Sequence, residues 1–427
     1  MIRVLFANTP LLIFVSVWGA IFALNALDLY GFHPVSNQTK IIVMAGIGSV
    51  IGGYFVASMI YNKDAIYSEQ NEDVQSKNLF SERHLYRFTA LTTLVYFLSG
   101  YIAMKVIGDL SGGIGSYIAD PLGVRETVVN IQKGRLGVPI SYRLAIIGIN
   151  IGMLSNIFGG ALFAQSKKSR ILSLSPLLIG AFIALVFIRR YSFINGIAFW
   201  LFAYMYTSLA FNRKEGSKIA GKAILTVVLL IFMFFGFSYL VVSVRSPWSD
   251  DITVYFFKSI YAYFVGNLSS LDVWLNSPNI TIEHAYGQTT FRDFFNYMSK
   301  IGLWSFEDVK GVHQEFVKIG NKFWVNTFTF IKAMYEDFNI YGVLSMSFIW
   351  GFVARVVLVK FFKSPSYLSL LAVSIISFSF LMSFYSFYFR NTISTIFWVV
   401  VVYFIQRFVQ YKSNPVAHPL VIQPIES

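Results

Sequence analysis

A chain of 427 residues with 56% hydrophobic and only 13% charged side chains, at a mean hydropathy of +0.61, lies outside the range of soluble domains, where roughly a quarter of residues carry charge. A net charge of +13 would suggest a nucleic-acid partner in a soluble protein, but these cations flank apolar runs, where membrane orientation accounts for most of them, so no nucleic acid is expected. With 0 cysteines, disulfides and thiolate metal sites are excluded.

Crossing a hydrocarbon core of roughly 30 Å takes about 20 apolar residues in a helix, which satisfies its own backbone hydrogen bonds there. Runs of this kind occupy 10–31, 41–61, 88–108, 141–164, 171–188, 192–212, 222–244, 338–361, 366–388 and 392–411. They lack the alternation of barrel strands, so the expected fold is an all-α polytopic membrane protein with about ten transmembrane helices in one integral membrane domain, 1–427. The first run exceeds a signal-peptide core and has no small-residue cleavage site, so it reads as a permanent span.

In the second run, GIGSVIGG (46–53) has the look of a nucleotide-binding loop but not its strand, turn and helix context. Close helix packing through small residues explains it better, as it does Gly148, Gly152, Gly159 and Gly160. Between the third and fourth runs, 109–140 forms a first exterior loop with a glycine-rich start, a proline-marked turn and a short helical pattern ending at Gly134. The segment 245–337 is far too long for a connector. Its stretches 254–275 and 291–304 are apolar or amphipathic, the pattern of short interfacial helices. Its many aromatic rings suit either the headgroup level or a sugar-stacking cleft. The tail, 412–427, carries three prolines and reads as disordered and cytoplasmic.

With the N-terminus inside, the inward segments hold 16 Lys and Arg and the short outward segments hold nine, which supports this orientation and places both termini in the cytoplasm. The two sets differ in kind, since ten of the 16 are Lys and six of the nine are Arg. Arg143, Arg189, Arg190, Arg245 and Arg390 stand at outward span ends, with Arg125 and Arg135 in the first exterior loop. Such arginines could snorkel to lipid headgroups or cap carbonyls. As planar forks they also suit bidentate contact with phosphate, and for the set together an anionic ligand outside is the favoured reading.

No HExxH, P-loop or GxSxG pattern occurs, which leaves zinc hydrolysis, ATP hydrolysis and esterase chemistry without support. His33, His284 and His313 face outward on this topology, and His284 and His313 are weak candidates for a general base. Among many outward carboxylates, Asp337 stands where the eighth span begins. It could serve as a base, or it could simply favour the helix N-terminus there.

The stretch NTFTFIKAMYEDFNIYG (326–342), followed by a span with Gly351, resembles the corresponding region of bacterial oligosaccharide repeat-unit polymerases, the O-antigen polymerase (Wzy-type) family. Tyr335, Asp337, Phe338 and Gly342 match a Tyr-x-Asp-Phe-Gly-like turn and the glycine after it. Asn339 replaces the usual glycine, and both residues tolerate a left-handed turn. The layout is similar too, with a large exterior loop before the last spans and basic residues near 143, 190, 245 and 390. The resemblance implies an inverting, metal-independent, GT-C-like glycosyltransferase without a cofactor, in the bacterial inner membrane. It would polymerise undecaprenyl-pyrophosphate-linked repeat units into O-antigen or a related polysaccharide on the periplasmic face. A donor glycan and an acceptor repeat unit would be its substrates, and a chain-length regulator and a flippase its partners. Arg143, Arg190, Arg245 and Arg390 would grip pyrophosphate, with Arg189, Arg125, Arg135 and Tyr335 as further contacts. The competing readings are an O-antigen ligase, which uses the same donor, and a lipid-linked oligosaccharide flippase or exporter.

Overall fold

Long apolar runs with few internal prolines leave the backbone no partner in lipid except itself, and helices result. The computed structural model describes residues 8–61, 81–189, 191–211, 235–243, 251–277, 285–300, 302–303, 316–320, 323–388 and 392–413. In chain order the helices are α1 (Thr9–Leu27), α2 (Asn37–Ile60), α3 (Glu82–Leu110), α4 (Ser116–Ala119), α5 (Pro121–Gln132), α6 (Ile140–Gly152), α7 (Leu154–Gln165), α8 (Arg170–Val186) and α9 (Tyr191–Phe211). After α10 (235–243) come α11 (Ile252–Phe264), α12 (Gly266–Leu275) and α13 (Arg292–Lys300), then α14 (Phe330–Lys363), α15 (Tyr367–Leu381) and α16 (Thr392–Ser413). Before α14 lies a two-stranded antiparallel hairpin, Val317–Gly320 with Phe323–Val325, which an all-α reading does not anticipate.

Among the described residues six helices are long and apolar enough to cross a membrane: Thr9–Leu27, Asn37–Ile60, Glu82–Leu110, Ile140–Gln165, Ser192–Ala210 and Phe330–Lys363. Three more of the expected ten, Arg170–Val186, Tyr367–Leu381 and Ser394–Val409, are apolar but shorter. The expected run 222–244 is described only over its helical part, 235–243. The inside-out distribution of side chains agrees with a lipid surround. Leu91, Leu94, Phe97, Leu98, Met59 and Leu178 point outward, while Thr89, Thr93, Ser155, Asn156, Asn195 and Ser374 are buried between helices.

Beside two small apolar clusters, two large ones dominate the core of the described residues. One gathers α3, α6 to α9 and part of α15; the other joins α1, α2, α14 and the Ile376–Phe380 part of α15, so α15 bridges them. The run 46–53 proves to be a packing face. A Cβ at Gly53 would stand 1.9 Å from the Phe348 carbonyl oxygen and one at Gly351 2.0 Å from that of Val50, so α2 and α14 touch backbone to backbone.

The structure revises the start of the eighth span. α14 begins at Phe330, and its helix is interrupted at Phe338 (φ −144°, ψ 20°) and Asn339 (φ 57°, ψ −150°). Asp337 therefore closes a short first segment and does not open the span. The turn is left-handed in φ, but its ψ lies in a region that glycine alone occupies comfortably. Gly342 completes the kink, since a Cβ there would stand 2.4 Å from the Met334 carbonyl oxygen.

Candidate functional site

At one end of the bundle the connecting segments 28–36, 251–277 and 316–329 bond to one another, 382–388 bonds to α1 and α14, 285–300 bonds to α14, and 111–139 bonds to the end of α8. The Phe330 amide donates to the Ser383 carbonyl at 2.8 Å, the Trp18 indole to the Ser383 hydroxyl at 2.9 Å, and the His33 amide to the Ile319 carbonyl at 2.6 Å. The exterior helices expected at 254–275 and 291–304 lie here as α11, α12 and α13, and the short helix expected before Gly134 is α5.

Arg189 is aimed by a strained turn. α8 ends in a Schellman arrangement, with the Ile188 amide on the Leu185 carbonyl at 3.0 Å and the Arg189 amide on the Ala184 carbonyl at 2.7 Å. The motif wants glycine in its left-handed position. Here that residue is Ile188, at φ 48°, an uncommon conformation for a β-branched side chain. Ile188 is buried and Arg189 half-buried, and the Arg189 guanidinium donates to the Gln132 side-chain carbonyl at the end of α5.

A second arginine, Arg125 of the same helix α5, acts on it electrostatically. Burial, and next the charge of Arg125, push the Arg189 guanidinium below its ordinary pKa, while the phenols of Tyr142, Tyr385 and Tyr263 act in the opposite direction. Two guanidinium groups within electrostatic reach repel, and an anion between them would turn that repulsion into attraction. The Tyr117 hydroxyl donates to the Val186 carbonyl at 3.3 Å, and burial followed by Tyr142 raises its pKa. Next to this cluster lies a cavity of about 290 Å³, lined by Tyr117, Pro121, Leu185, Ile188, Leu240 and Val241. Its walls are almost wholly apolar.

The other candidates are placed differently. Arg143 and Arg135 are exposed, the former in the first turn of α6 and the latter just beyond Gly134. Arg190, Arg245, Arg390, His284 and His313 lie outside the described residues. Tyr335 packs edge-on against Trp274, with ring centroids at 6.2 Å. Asp337 is completely buried, and its two carboxylate oxygens accept the amides of Thr289 at 3.0 Å and Thr290 at 2.7 Å, while the Ala285 amide bonds the Glu336 carbonyl at 3.1 Å. Its visible work is to clamp the segment before α13 to the end of the short first part of α14.

Sequence reasoning missed one pair altogether. His33 Nε2 lies 2.9 Å from Asp272 Oδ2, and Oδ1 of Asp272 accepts the Ser36 amide at 2.8 Å and its hydroxyl. Asp272 is 2% exposed. Burial alone would raise its pKa, but hydrogen bonds from Ser36, Thr39 and His33 outweigh that and hold it below the ordinary range. The partners are 239 positions apart in a chain with no spacing rule to connect them. The one signal was a lone acid within the apolar stretch SSLDVWL (269–275). On α11, the Tyr261 hydroxyl donates to the Leu24 carbonyl at 2.8 Å, and Tyr263 is within electrostatic reach of Arg189.

Among the described residues no group of three or more His, Cys, Asp or Glu side chains is arranged to hold a metal ion. No family model matches the chain, and neither a curated protein nor a solved structure matches it.

Proposed function

We propose that this protein is a membrane glycosyltransferase that joins lipid-pyrophosphate-linked oligosaccharide units, a repeat-unit polymerase working at the outer surface of a bacterial inner membrane. The observation that carries this reading is Arg189, aimed by a strained turn beside an apolar cavity and tied to Gln132 of α5, with the charge of Arg125 from the same helix acting on it. A phosphate between two cations, next to a greasy slot, describes the head and first tail units of a polyisoprenoid pyrophosphate.

In the reaction the acceptor hydroxyl oxygen attacks C1 of the donor sugar, and the bond from C1 to the phosphate oxygen breaks. Its electron pair leaves with the pyrophosphate, and the hydroxyl proton passes to a base. Charge grows on the leaving group as the bond breaks, so preorganised guanidinium groups lower the barrier. Gln132 holds Arg189 in place, and the low polarity around it strengthens each contact with the anion. Asp337 is poorly suited to be the base, because both its oxygens are engaged by amides.

The test replaces Arg189 by Gln and by Lys, and Arg125 by Gln, in a strain that makes long surface glycan. Arg189→Gln is expected to cut polymer synthesis about 100-fold or more, and Lys to restore only part of it because it lacks the fork. Unchanged chain length in all three variants would sink the proposal. A ligase would instead lose all glycan transferred to the cell surface while long lipid-linked chains accumulate.

A further inference from the structure

The rings of Tyr263 and Tyr385 lie parallel, 2° apart, with centroids at 5.8 Å. Their chain neighbours Phe264 and Phe384 also stack, at 5.1 Å and 19°. Phe384 is buried, and Phe264 packs against the same core cluster. The phenylalanine pair already fastens the end of α11 to the turn after α15, so the second stack is not needed to hold the two segments together. Tyr263 is left 37% exposed. The backbone that carries it is well fixed, since the Asn267 amide group donates to the Tyr263 carbonyl at 2.5 Å and its carbonyl oxygen accepts from Thr327. Both phenols lie within electrostatic reach of Arg189.

A pyranose has one face of C–H groups and a rim of hydroxyls. An aromatic face covers the first, and a phenol at its edge can bond the second. A fixed, half-exposed tyrosine step beside a pair of cations combines both requirements with a phosphate site. We infer that Tyr263 and Tyr385 form the subsite for the sugar ring bonded directly to the phosphate gripped by Arg189 and Arg125. The ligand of this end of the molecule is then a glycosyl phosphate and not phosphate alone. This rests on the anion site proposed above. It also gives the substrate a direction, with lipid in the cavity at Ile188, phosphate at the guanidinium pair and sugar on the tyrosine step.

The experiment uses the full chain purified in detergent and calorimetric titration with three probes: inorganic phosphate, glycerol 1-phosphate as a lipid-headgroup surrogate, and glucose 1-phosphate. Wild type is expected to bind glucose 1-phosphate about fivefold more tightly than the other two, the effect of covering one small apolar face. The double variant Tyr263→Leu with Tyr385→Leu should lose that advantage and keep its affinity for phosphate. Tyr263→Leu alone, at the more exposed ring, should lose most of it and serves if the double variant does not fold. Arg189→Gln should weaken all three probes. If wild type binds none of them, the anion site itself fails, and this inference with it. If phosphate binds but glucose 1-phosphate has no advantage over glycerol 1-phosphate, or the leucine variants keep the advantage, the sugar subsite alone is overturned.

Discussion

Replacing Asp337 separates a clamp from a catalyst. Its carboxylate is fully buried and accepts two backbone amides, at 3.0 and 2.7 Å, from the segment that leads into α13. Asp337→Ala leaves both donors without this partner, and each orphan costs about 1–3 kcal/mol, so the variant should lose about 2–6 kcal/mol. Asp337→Asn keeps one acceptor and turns an amide NH2 toward the other donor, for a loss of about 2 kcal/mol. Thermal unfolding of the detergent-solubilised protein, followed by tryptophan fluorescence, reads the first effect. Hydrogen exchange at Thr289 and Thr290 reads the local one, and both amides should exchange faster in the two variants. An Asp337→Asn protein with an unchanged midpoint and unchanged exchange, yet no glycan synthesis, would refute the clamp and make the carboxylate a chemical participant.

The Asp272 carboxyl titrates lower in the folded chain than in the unfolded one, so its stabilisation is present above about pH 4 and is lost as pH falls through the lower folded value. Asp272→Asn should lower stability at neutral pH and flatten the acid limb of the melting curve; an unaltered limb would remove the pair from the account. Gly53→Ala forces a methyl to 1.9 Å from the Phe348 carbonyl oxygen and should cost about 1–3 kcal/mol or more as α2 and α14 move apart, visible as a drop in melting temperature. At Asn339, glycine should be tolerated within about 1 kcal/mol, because relief of the strained backbone offsets the lost 2.7 Å bond to the Ile340 amide. Alanine there keeps the strain, loses the bond and should melt lower than glycine.

The sequence showed most of what periodicity and length control. The described parts of the apolar runs became helices, and the glycine run 46–53 became a helix contact because a short backbone-to-backbone approach needs small residues. The replacement of glycine by Asn339 was readable as a turn, but its unusual ψ was not, since it belongs to a kink at which Gly342 packs on Met334 and Phe338. Arg189 was legible as a cation in an apolar hairpin. Its pairing with Arg125 and Gln132 was not, because that depends on how α5 folds back onto the end of α8. Tyr263 and Tyr385 looked like any of 25 tyrosines until two remote segments stacked them. The strand pair 317–320 and 323–325 was hidden in a long segment without clear alternation, and the place of Asp337 was misread because the helix starts seven residues before it.

The most direct test of the central claim measures the lipid-linked pool in a strain that lacks this protein. The account predicts that a single repeat unit on lipid pyrophosphate accumulates, that the wild-type gene restores long chains, and that the Arg189→Gln form, present in the membrane at normal level, leaves the single unit in place. Long chains assembled as usual without the protein, or restored fully by Arg189→Gln, would contradict it.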